Sequence, residues 1–83
     1  MSFADQVRKH CLDTYVIPGR KKGKKYIKIR SGDVHKDLNF SNKYPLVCSA
    51  IGSNTFENFA SLKRISIEGP LNGANTIFTF QII

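Results

Sequence analysis

This chain is short of cysteine, of acid and of apolar length. Its two cysteines, Cys11 and Cys48, lie far apart and share no metal-type spacing. A chain of 83 residues that depended on disulfides would carry more of them. Both are therefore expected as small, reduced, buried side chains in helices. A zinc site joining them to His10 and His35 is the alternative. The six acids and two histidines show no paired-carboxylate, metal-ligand or phosphate-loop spacing. That argues against an enzyme, and no cofactor is implied. The apolar runs are only a few residues long, far short of a membrane span. Asp5, Arg8, Lys9, His10 and Asp13 interrupt the first fifteen residues, unlike a secretion signal, so a cytoplasmic protein is expected.

What is present is a core and a concentrated charge. Hydrophobic residues make up 41% of the chain, enough for one small globular domain over residues 1–83. The net charge of +7 sits in one place. Arg20, Lys21, Lys22, Lys24, Lys25, Lys28 and Arg30 fall in eleven residues that contain no acid. The other six basic residues are matched by the six acids, so the whole excess belongs to residues 20–30. A concentrated positive field is what a polyanion responds to.

Taken in order, residues 2–15 read as a helix. Phe3, Val7, Cys11 and Tyr15 recur every four positions, Ser2 can cap the start, and Pro18-Gly19 is expected to end it. His10 is expected on its surface. Residues 19–25 then read as a flexible basic loop, because like charges at this density repel. Ile27 and Ile29 alternate with Lys28 and Arg30 in a strand. Val34 and Leu38 share one face of a second helix, for which Ser31 is the expected cap and Asn39 the left-handed stop. Phe40 can plug the turn, and Ser41 or Asn42 can cap a third helix whose buried face is Leu46, Val47, Ala50 and Ile51. One further helical turn is possible after Gly52, with Phe56, Phe59 and Leu62 closing the core. Ile65 and Ile67 alternate with polar residues in a half-buried strand. Residues 69–76 form a long turn-rich loop tipped by Asn72-Gly73, and residues 77–82 return as the last strand.

The stretch from Val34 to Ile51 resembles a helix-turn-helix, with spacing to Val47 about two residues longer than usual, which a lengthened turn or an extra half-turn of helix would supply. The full order of helix, strand, helix, helix, strand, long loop, strand resembles the winged helix superfamily. Ser31-Gly32-Asp33-Val34-His35-Lys36 and Pro45-Leu46-Val47-Cys48-Ser49-Ala50 are similar to strings in small prokaryotic proteins. The resemblance implies an α+β fold with a three-helix core beside a small antiparallel sheet, and residues 69–76 as the wing. It implies that the third helix enters the major groove through Ser41, Asn42, Lys43, Tyr44 and Ser49, while Asn72 and Asn75 in the wing touch backbone or minor groove. It also places the basic loop at the end of the sheet away from the wing.

Two functions compete. The first is duplex DNA binding by a transcription regulator or nucleoid-associated protein, with the basic segment on phosphates. RNA or single-strand binding through Tyr26 and Tyr44 is its variant. The second is a protein–protein module, favoured because the third helix carries one basic residue, Lys43, and the wing none. A homodimer is a further expectation, and Phe3, Leu71 and Ile83 are the apolar residues available to it.

Overall fold

The computed structural model describes residues 2–70 and 72–83. Leu71, one of the expected dimer contacts, lies outside the described residues. The elements are α1 (Phe3–Cys11), a π-helical turn (Leu12–Val16), α2 (Ile17–Lys21), β1 (Tyr26–Arg30), α3 (Ser31–Asp37), α4 (Tyr44–Ile51), α5 (Asn54–Ala60), β2 (Leu62–Glu68) and β3 (Ile77–Ile82). Because α1, the π turn and α2 run on without a break, the described residues form four helical bodies and one three-stranded antiparallel sheet. This is an α+β domain. Within it, no helix is long and apolar enough to cross a membrane.

The first helix starts as its residues dictate and ends later than they suggest. Ser2 caps it by accepting the Asp5 amide at 3.1 Å. Pro18-Gly19 does not end it. Ile17 donates its amide to the Leu12 carbonyl five residues back, so the helix widens by one residue just before the proline. Pro18 then falls in the first turn of α2, where its missing N–H and fixed φ do least harm. Val7, Cys11 and Val16 are fully buried along this bent helix.

The turn between α3 and α4 is organised by a histidine rather than by caps. Asn39 takes φ 58° as expected, and Asn42 is also left-handed at φ 53°. Neither Ser41 nor Asn42 caps α4, however; Lys43 occupies the cap position with no side-chain bond. His35 does the ordering instead. It is 6% exposed, its Nε2 accepts the Lys43 amide at 3.2 Å, Tyr44 stacks on its ring at 4.0 Å, and Phe40 meets it edge-on at 6.0 Å. Six residues, 38–43, thus separate the two helices, which is the lengthened turn that the Val47 spacing requires. Similarly Ser31 is not a cap but the first residue of α3; Arg30 takes the cap position.

The core lies between the helices and one face of the sheet. The strand order is β1-β3-β2, so the last strand is central. Ile27 pairs with Phe80 and Ile29 with Phe78 on the core face, and Phe56 of α5 meets Phe80 edge-on at 5.4 Å. The further helical turn is a full two-turn helix, capped by Ser53 and anchored by Phe56 and Ala60. The three-helix core therefore becomes a four-helix one. Phe59 does not join it: on α5 it is 53% exposed. Ile65 and Ile67 are likewise 49% and 38% exposed. The register across β2 shifts between Arg64 and Ser66, and Ile65 falls at that bulge without a cross-strand partner.

Candidate nucleic-acid interface

The positive end of the molecule is built by a helix end and a strand start. Gly19 is buried in α2, and a Cβ there would sit 2.8 Å from Ile27 Cγ2, so only glycine lets α2 lie this close to β1. After Lys21 the chain closes the helix with a left-handed glycine. Gly23 has φ 71° and donates to the Arg20 carbonyl at 3.1 Å, while Lys24 donates to the Gly19 carbonyl at 3.0 Å. That pair of bonds is a Schellman cap. The basic stretch is thus the last turn of a helix and its cap, and the loop expected to begin at residue 19 begins only at Lys22.

Arg20 is engaged within the fold through one of its guanidinium nitrogens. Its Nη2 donates to the carbonyls of Ala60 at 2.9 Å and Ser61 at 3.3 Å, tying α2 to the end of α5. Arg30 is also engaged, at 2.9 Å with Asp33 and 2.7 Å with the Asn75 side chain. By contrast Lys21, Lys22, Lys24, Lys25 and Lys28 are exposed, and none forms an ion pair among the described residues. The strand register extends this surface. On the face turned from the core, Tyr26, Gln81 and Lys63 stand in one row and Lys28, Thr79 and Ser66 in the next. Tyr26 is 54% exposed beside these charges.

The residues expected to enter a groove are divided. Ser41 and Asn42 are exposed in the turn. Lys43 lies 4.4 Å over the Phe3 ring and Tyr44 lies on His35, so both are turned to intramolecular partners. Ser49 and Asn72 do come together. They line an open groove of about 370 Å³ between α4 and the 69–76 loop, along with Cys48, Ser53 and Arg64. Arg64 is the residue that charge bookkeeping missed, because an acid elsewhere in the sequence offsets it. Its guanidinium donates to the Gly52 carbonyl at the mouth of this groove. Only its place in β2, set by the pairing with Phe80, brings it there.

The 69–76 loop folds back onto the helices. Ser31 Oγ donates to the Gly73 carbonyl, as does the Cys48 thiol at 3.7 Å. The amides of Ser31 and Gly32 donate to Thr76 and Ala74 at 2.9 Å each. Thr76 is 1% exposed and its hydroxyl donates to the Pro70 carbonyl. Asn75 is held by Arg30, and among the described residues no partner holds the Asn72 side chain. Lys25 and Tyr26 pair at the opposite end of the sheet, against Ile82 and Gln81. The two halves of the candidate surface are separated by the length of β1, about 13 Å.

His10 is not a free surface side chain. Its Nε2 lies 3.1 Å from Asp37 Oδ2 and its Nδ1 3.4 Å from Thr14 Oγ1. Cys11 beside it is fully buried, and burial, with Asp37 nearby, pushes its thiol up to about 12. Burial also raises the Tyr15 phenol, helped by Asp37, Asp33 and Cys11. Among the described residues no cluster of His, Cys, Asp and Glu gathers as a metal site would need. No protein family, no curated protein and no solved structure matches this chain.

Proposed function

We propose that this domain binds duplex DNA through the phosphate backbone, with a winged-helix arrangement as its scaffold. The β1-β3-β2 order supports the scaffold, since in that topology the first strand pairs with the last. Two features are its own: α5 stands between the groove helix and β2, and the 69–76 loop is drawn against α3. The observation that carries the function is the set of five exposed lysines, Lys21, Lys22, Lys24, Lys25 and Lys28, without acidic partners among the described residues. Such a surface contributes affinity by releasing counterions and reads no sequence. Base contact belongs to the groove beside Ser49, Asn72 and Arg64.

A mixed-sequence duplex of about twenty base pairs, titrated at several salt concentrations, tests this. Five phosphate contacts give a slope of log affinity on log salt of about −4 to −5. Changing Lys21, Lys22, Lys24 and Lys25 to Ala should bring that slope near about −1 and weaken all sequences alike. Absence of binding at low salt would remove the DNA reading. The second reading, a protein–protein module, would then take its place, because Phe59, Ile65 and Ile67 expose apolar surface and β2 is an open edge. Preference for single strands would instead place Tyr26 at the centre of the surface.

A further inference from the structure

We propose that the small pocket between the π-helical turn and β1 is a discrete site for one phosphate group. Lys22, Lys24 and Lys28 line it together with Thr14 and Tyr15. Lys22 and Lys24 come to it from the cap of α2 and Lys28 from β1. Gly19 and Ile27 form part of its wall, so the close packing of α2 on β1 also shapes it. Its volume is about 180 Å³. Sites for drug-sized ligands run from about 300 Å³ upward, so a phosphoryl group fits where a nucleoside does not.

The π turn gives this pocket its second, independent mark. Inserting one residue at Leu12–Val16 places Thr14 and Tyr15 in its lining, and single π turns inside α-helices are frequent at functional sites. The Tyr15 phenol, like any tyrosine, is protonated at neutral pH and can donate, and burial only raises its ionisation further. The Thr14 hydroxyl is held by the His10 imidazole, itself held by Asp37. The lysines are therefore the charged clamp, Tyr15 the neutral donor and Thr14 a fixed wall.

The site rests on the nucleic-acid reading for the source of its phosphate, either the backbone or terminus of a strand, or a free phosphate ester. Amide NMR of the full chain would separate the two ideas. Inorganic phosphate is titrated against chloride at matched ionic strength. Saturable shifts confined to Thr14, Tyr15, Gly19, Lys22, Lys24, Ile27 and Lys28 support the site. Lys24→Ala and Lys28→Ala should each weaken phosphate about tenfold, and Tyr15→Phe by a smaller factor, while Lys36→Ala, whose lysine lines no part of the pocket, leaves it unchanged. Shifts that grow linearly and spread over every lysine would overturn the site, even if duplex still bound. Saturable phosphate without duplex binding would keep the site and discard the DNA reading. Duplexes with and without 5′-phosphate, competed with inorganic phosphate, then distinguish terminal from internal phosphate.

Discussion

Cys11 and His35 show how much depends on what a side chain touches. The Cys11 thiol is raised from 9.0 to about 12 because its thiolate would have to form in the core. An unfolded chain ionises this thiol above pH 9 while the folded one does not. Its contribution to stability is thus constant below about pH 9 and falls as pH rises toward 12. Folded protein should leave Cys11 unlabelled by a thiol reagent at pH 8 until denaturant is added. The melting temperature of Cys11→Ala should decline less steeply above pH 9 than that of the wild type, and equal slopes would contradict this account. In the sequence His35 stood out only as an alternative zinc ligand, not as the organiser of a turn. Its partners, Phe40, Lys43 and Tyr44, come from the turn that it organises, so no spacing rule could have singled it out.

At the scale of elements, close approach decides geometry. Gly19 holds α2 on β1 with no room for a Cβ. Gly19→Ala should destabilise the fold by about 1–3 kcal/mol, because Ile27 or the helix must move. A denaturant midpoint measures this, and an unchanged midpoint would show that the helix yields freely. The strands, the α3 helix and the left-handed Asn39 were legible because each rests on local chemistry: alternation, spacing, a small polar stop. The misread elements rest on backbone geometry that alternation and charge counting do not register. The π turn accommodates Pro18, a bulge leaves Ile65 without a cross-strand partner, and the Schellman cap orders residues that repulsion alone would leave loose. Of the candidate site, the lysines were legible as charge, whereas the carbonyl and amide partners of Arg20 and Arg30 were invisible in one dimension.

For the whole molecule the decisive quantity is the uneven field. Seven units of net charge reside in one end and one face of a small domain, and they repel one another in the compact state. Salt should therefore stabilise the protein. Raising ionic strength from about 0.02 M to about 0.2 M, which shortens the Debye length to less than 10 Å, should raise the melting temperature by a few degrees. Replacing Lys22, Lys24 and Lys25 with Gln should flatten that dependence. A wild-type melting temperature indifferent to salt would mean that the lysines stand too far apart to repel.

The strand order carries a consequence for synthesis. β1 and β2 are both complete before residue 69, yet each is hydrogen-bonded only to β3. A nascent chain that has emerged as far as residue 76 consequently holds two strands with no ladder between them and a helical layer with no sheet to cover. Ile27, Ile29 and Leu62 then face water until residues 77–82 slide between the waiting edges. Assembly is thus gated by the arrival of a single six-residue segment.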